Sequence, residues 1–260
     1  MPKELKSRDF VISLKDIRNQ FGDHILHNQL NLDIRKGEVL GIVGGSGTGK
    51  SVLMRTIVGL NHKAAGTIKI LGQDVDQISQ AELASLRQRM GVLFQDGALF
   101  SSLTVSQNIE AVINEHTNLP AQFVREIAAL KIALAGLPIE AGGKYPSELS
   151  GGMRKRAGIA RALALDPDIL FLDEPTAGLD PIGAAQFDDL IAKLQDTLGL
   201  TVIMITHDLD SLHAICNRIG VLLDKKIKVG TITELSKEED PWIKEYFGGP
   251  RGRAATRSHD

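Results

Sequence analysis

Cysteine is almost missing from this 260-residue chain. Cys216 stands alone, which excludes an internal disulfide and a cysteine-built zinc cage and agrees with a reducing compartment. Long apolar runs are missing too: the longest, VLGIVGG at 39–45, falls far short of the roughly 20 residues that a membrane-spanning helix needs. The opening MPKELKSRDF holds no apolar stretch of signal-peptide type, so the chain is expected to stay in the cytosol. Neither sign of charge dominates. Thirty basic against 32 acidic residues leave a formal net charge of -2, which excludes a global field that would draw the protein onto nucleic acid. Aromatics are only 4%, whereas 43% hydrophobic and 24% charged residues exclude disorder and suit one large core. What abounds is glycine, 26 residues of 260 against an average of about 7%. Either an aliphatic core has many close backbone approaches, or the glycines are turns.

The order of apolar runs points to an α/β chain. VLGIVG at 39–44 reads as a buried strand, and from Lys50 the segment SVLMRTIVGL takes helical spacing, so a glycine-rich loop joins strand to helix. DILFLDE at 168–174 and TVIMITH at 201–207 read as buried parallel strands. Between them, a helix over 181–198 has Asp180 as N-cap, Pro181 in the first turn, an apolar stripe of Phe187, Leu190, Ile191, Leu194 and Leu198, and Gly199 as its stop. Residues 10–36 alternate as antiparallel strands, and 219–230 read as a hairpin turning at Lys225 and Lys226. From about 79 to 165 the strand signal fades: Ser79 with Glu82 forms a capping box, and Pro120 opens an amphipathic stretch carrying Phe123, Ile127, Leu130 and Leu134. A helical insertion thus interrupts a mostly parallel sheet joined to antiparallel strands, and the tail GGPRGRAATRSHD reads as mobile.

Chemistry enters at Gly44–Ser51, GGSGTGKS, which matches G-x-x-x-x-G-K-[ST] between a strand and a helix. Glycines let the backbone curl so that several N–H groups face phosphate oxygens, and the helix N-terminus adds partial positive charge. Lys50 then reaches the β and γ phosphates while the Ser51 hydroxyl meets Mg²⁺. A second anchor for the metal is Asp173, at the end of an apolar strand, and its neighbour Glu174 is placed to act as general base toward water.

Leu149–Met153, LSGGM, precedes the helix RKRAGIARALALDP and resembles the LSGGQ signature of ATP-binding cassette (ABC) ATPases. The phosphate loop, Gln95, this signature, Asp173–Glu174, AGLD at 177–180 and His207 occur in that family's order, over about residues 10–232. The resemblance implies a P-loop ATPase domain over 8–235, with a helical subdomain inserted at about 96–165 and a C-terminal extension at 236–260. It implies ATP held by Gly44, Gly45, Ser46, Gly47, Thr48, Gly49, Lys50, Ser51 and Val52. Mg²⁺ is then held by Ser51, Gln95 and, through water, Asp173. Glu174 is the implied base, Gln95 senses metal and water, and His207 contacts the γ phosphate. Phe21 either stacks on adenine or packs in the core. Ser150, Gly151 and Gly152 close over the nucleotide of an opposite subunit, so one motif set implies a homodimer with Asp180 at its seam. Met153 departs from the usual Gln, and activity is expected to survive. The run Arg154–Arg156 reads as a solvated helix face.

Residues 96–148 are too few for the coiled coils of chromosome-maintenance relatives, which leaves a transporter engine. LFQDGALFSSLTVSQNI at 93–109 and EHTNLP at 115–120 resemble the ATPases of the mammalian-cell-entry (MCE) class of lipid transporters, in particular the bacterial system for outer-membrane lipid asymmetry. That resemblance implies a polytopic permease, an MCE-type substrate-binding ring, in some members a small cytosolic accessory subunit, and a peripheral position on the cytoplasmic face of the inner membrane. The rivals are an ABC transporter for another small solute and a soluble non-transport ABC ATPase. Leu99 and Phe100 belong either to the insertion's core or to a docking groove. Trp242, Tyr246 and Phe247 either pack on their own chain or dock on a dimer partner.

Overall fold

The computed structural model describes residues 10–95 and 97–249. The start of the expected domain at residue 8 and the tail from Pro250 lie outside them. In chain order the first half holds β1 Phe10–Phe21, β2 His24–Arg35, β3 Val39–Gly44, α1 Lys50–Ile57, β4 Ala65–Ile70, β5 Gln73–Asp74, α2 Gln80–Gln88, β6 Met90–Leu93, α3 Val105–His116 and α4 Ala121–Leu134. There follow α5 Gly151–Ala162, β7 Ile169–Asp173, α6 Pro181–Leu198, β8 Thr201–Ile205, α7 Leu209–Ile215, β9 Arg218–Leu223, β10 Lys226–Gly230, α8 Ile232–Leu235 and α9 Pro241–Gly248. Two compact units divide the chain: Met1–Arg87 with Thr201–Asp260, and Gln88–Leu200.

In the first unit, β1 and β2 alternate buried and exposed residues and pair antiparallel, as their pattern requires. β4, which the sequence reading did not single out, completes this sheet in the order β2-β1-β4-β5. β3 and β8 are buried at every position and pair in parallel, and β3 also pairs in parallel with β9. The β9–β10 hairpin turns one residue earlier than expected. Asp224 and Lys225 have φ of 48° and 65°, and Lys226 already pairs with Leu223. Two consecutive positive-φ residues match the strand twist, and Asp accepts that conformation more readily than most side chains.

Helix α9 closes the core of this unit. Ile243 and Phe247 are buried with Val43, Leu212, Ile219, Val221 and Leu235, while Trp242 and Tyr246 pack at the edge of the cluster. The apolar face expected either to dock on a partner or to self-pack therefore packs on its own chain. Asp240 caps the helix by accepting from the Trp242 and Ile243 amides at 2.9 and 3.2 Å.

In the second unit β6 pairs in parallel with β7, so the span in which the strand signal fades still contains a strand. Four residues are too few for a periodicity to emerge. Helix α6 starts and stops as read: the Asp180 carboxylate accepts from the Gly183 amide at 2.9 Å, and Gly199 ends it with φ 65°. The stripe expected on α4 turns inward only in part, with Ile127 and Leu134 half-buried. Phe123 and Leu130 are half-exposed, whereas Val124, Ala128, Lys131 and Ile132 are buried. The helix has apolar residues all round, and only packing chooses between faces. Lys131 is tolerated inside because its ammonium reaches Asp166 at 2.5 Å.

Candidate functional site

The phosphate loop is built where buried β3 ends. A Cβ on Gly44 would lie 2.8 Å from the Leu222 carbonyl oxygen, so β9 permits only glycine there. The Thr48 hydroxyl donates to the Gly45 carbonyl at 2.9 Å and braces the curl. Gly49 stands at the N-cap of α1 with φ 94°, and no side chain caps the helix, the arrangement in which helix amides and dipole receive a phosphate. Lys50 is buried, and its ammonium folds over the loop to donate to the carbonyls of Gly44 and Gly45 at 2.9 and 3.1 Å.

Beneath the loop lies a polar relay that sequence reasoning missed. The Thr56 hydroxyl donates to the Val52 carbonyl at 2.7 Å and accepts from the Asn19 amide nitrogen at 3.0 Å. This orients the Asn19 carbonyl oxygen toward His27 Nδ1, 2.9 Å away, and places the imidazole proton on Nδ1. His27 is fully buried, and a Cβ on Gly49 would come within 2.7 Å of its Nε2. Burial holds the imidazole pKa below its ordinary value, and a contact with the Thr48 backbone opposes this in part. In the same unit, Phe21 ends β1 more than half exposed, which removes the core-packing alternative, and exposed His207 follows β8.

The second unit carries the remaining motifs. Asp173 is the buried last residue of β7. Glu174 follows with φ 49°, and its carbonyl accepts from the Ala177 amide at 3.2 Å, forming a tight turn. Ser150 caps α5, its hydroxyl accepting from the Met153 amide at 3.2 Å. Gly151, Arg154, Lys155, Gln95, Ala177, Gly178 and Leu179 line one cleft of about 460 Å³, so the signature, Gln95 and the AGLD segment meet. Gln95 is exposed just past β6, with Leu99 half-buried and Phe100 exposed.

The basic run is a solvated face only at Arg154, which is exposed, whereas its other two members turn toward the chain. Lys155 is buried, and its ammonium donates to the backbone carbonyls of Gln95 and Glu174 at 3.2 and 3.1 Å. Arg156 donates to the Ala135 carbonyl at 3.2 Å. Gly158 and Ile159, three and four residues further along α5, are also buried. Lys155 shares their face of the helix.

Among the described residues, no three His, Cys, Asp or Glu side chains gather as a metal cage. The Ser51 hydroxyl, Asp173 carboxylate and Gln95 amide are instead oxygen donors of the kind a hard cation takes alongside substrate phosphates.

A glycine loop braced under a buried lysine, parallel strands, and an acidic pair at a strand end define a P-loop nucleotide hydrolase. Residues 27–177 match the family model described as ABC transporter. The chain is 39% identical to the intermembrane phospholipid transport system ATP-binding protein MlaF of Haemophilus influenzae, over 92% of this chain and 90% of that one. It is 38% identical to the probable ribonucleotide transport ATP-binding protein mkl of Mycobacterium leprae, over 93% and 70%. A solved dimer of the ATP-binding cassette MJ0796, in a post-hydrolysis state bound to ADP and Pi, superposes with a TM-score of 0.76 at 29% identity, over 85% of this chain and 98% of that one. The chain belongs to the ABC transporter family, as an ATP-binding subunit that hydrolyses ATP to drive transport.

Proposed function

We propose that this chain powers phospholipid transport between the inner and outer membranes of a Gram-negative bacterium. It works as a homodimer on the cytoplasmic face of the inner membrane, with a polytopic permease, an MCE-type ring and, in some assemblies, a small cytosolic subunit. The observation that carries the lipid reading is the similarity to MlaF along nearly the whole of both chains. A second reading, transport of ribonucleotides, draws on the similarity to mkl. In either case the ATPase domain is 8–235, with the helical subdomain at 96–165 and the extension at 236–260.

Lys50 and the Gly44–Val52 amides bind the nucleotide phosphates, Phe21 stacks on adenine, and Ser150, Gly151 and Gly152 cover the partner subunit's nucleotide. Glu174 takes the proton of a water whose oxygen attacks the γ phosphorus as the bond to ADP breaks. Gln95 and His207 orient the water and the γ phosphate. Mg²⁺ suits Ser51, Gln95 and, through water, Asp173, and when bound it neutralises charge developing on the phosphates. Closure of the dimer on ATP and its opening after hydrolysis move the permease.

Purification from gently solubilised membranes tests the substrate. Recovery with a polytopic protein, a lipid-binding ring and bound phospholipid is expected; recovery with a permease that binds ribonucleotides selects the second reading. Glu174→Gln should bind ATP yet hydrolyse it far more slowly, and normal turnover removes Glu174 from its role. Lys50→Ala should lose ATP binding.

A further inference from the structure

Lys155 lies on α5 five residues past Ser150, which caps the helix, and its ammonium bridges two backbone carbonyls that are remote in sequence, Gln95 at 3.2 Å and Glu174 at 3.1 Å. One acceptor sits in constrained backbone, and the other lies three residues before a constrained one. Glu174 is a non-glycine residue at φ 49°, a conformation that persists only where its surroundings hold it. Downstream of Gln95, Ala98 has φ 47°, and its carbonyl accepts from Arg161 Nη1 at 2.5 Å, while Gly97 accepts from Nη2 at 3.2 Å. Helix α5 therefore grips the Gln95 segment at two points, and at one of them the same ammonium grips Glu174.

We infer that Lys155 is a positioning residue for hydrolysis: it sets the Glu174 carboxylate and the Gln95 amide relative to one another. The proposal rests on Glu174 as base and Gln95 as sensor of water and metal. A buried ammonium suits the task because each charge-assisted bond to a carbonyl is stronger than a neutral one. Lys155 acts on the backbone from which carboxylate and amide project, where a shift of about 1 Å is enough to misalign water and carboxylate. The helix that starts at the signature is thereby wired to its own chain's catalytic glutamate.

Lys155→Gln and Lys155→Arg test this, measured as the dimeric ATPase beside Glu174→Gln, with kcat, KM, equilibrium ATP affinity and melting temperature for each. Expected is a fall of about 10–100-fold in kcat for Lys155→Gln with ATP affinity within about twofold of wild type. Lys155→Arg, which can still donate to both carbonyls, should recover most of the rate. On the Glu174→Gln background, Lys155→Gln should lower kcat no further, because the two residues act as a unit. If Glu174→Gln is inactive while Lys155→Gln turns over normally, the positioning role is overturned and the general-base reading stands. If Glu174→Gln itself turns over normally, the reading beneath it fails. Loss of ATP affinity or of folding in both Lys155 variants makes the residue structural and overturns the proposal.

Discussion

The indole of Trp242 lies beside Gly45: a Cβ built on that glycine would come within 3.9 Å of Trp242 Nε1. Trp242 also stacks on Tyr246, with ring centroids 4.8 Å apart at 12°. It is the single tryptophan of the chain, so its fluorescence reports on the phosphate loop without labelling. Titration with ATP or ADP should change the emission saturably. Lys50→Ala should abolish the change and Trp242→Phe the emission itself. A flat titration in a protein that hydrolyses ATP sinks this prediction.

Phe247 is 6% exposed in the cluster that includes Val43, the residue before Gly44. Phe247→Ala leaves a cavity, and a loss of about 3 kcal/mol in unfolding free energy is expected by denaturant titration. A much smaller loss would mean that α9 is dispensable for the core.

Arg218 and Glu38 form a bidentate pair in the first unit, at 2.8 and 2.6 Å, and Arg218 also donates to the Asp33 carbonyl at 2.8 Å. Glu38 is buried and Arg218 only slightly exposed, so removing one partner strands a desolvated charge. Glu38→Ala is expected to cost about 3–5 kcal/mol. Glu38→Ala with Arg218→Met should recover part of that loss. An additive double mutant argues against coupling.

His27 predicts a pH dependence of stability. Its folded pKa lies below the unfolded value near 6.5, so the unfolded chain binds the extra proton between the two. The contribution is fully present above about 6.5 and is lost as pH falls from there through the folded pKa. His27→Gln, which keeps a donor for Asn19, should flatten the stability profile in that acidic window. An unchanged profile excludes His27 as its source.

Much of the fold was legible because its signals are local. Asp180, Pro181 and Gly199 bound α6 by short-range hydrogen bonds and backbone preference, and the Ser79–Glu82 capping box forms with Glu82 accepting from the Ser79 amide and hydroxyl at 2.8 and 2.7 Å. The phosphate loop is legible for the same reason, since GGSGTGKS carries its own conformational demands. The misread features depend on neighbours distant in sequence. Phe123 and Leu130 have the periodicity of a core stripe, yet α4 turns Val124, Ala128 and Ile132 inward. β6 is too short to show a period and gains its identity from pairing with β7.

The sequence by itself determined an α/β nucleotide-binding chain of the ABC family, since motif order, strand hydrophobicity and helix caps are written residue by residue. Only the tertiary structure decided what lies against those motifs: His27 under Gly49, Trp242 beside Gly45, and Lys155 between Gln95 and Glu174. The physical reason is burial. A lysine in a basic run is solvated unless partners exist to satisfy its ammonium, and those partners are backbone carbonyls 60 and 19 residues away along the chain.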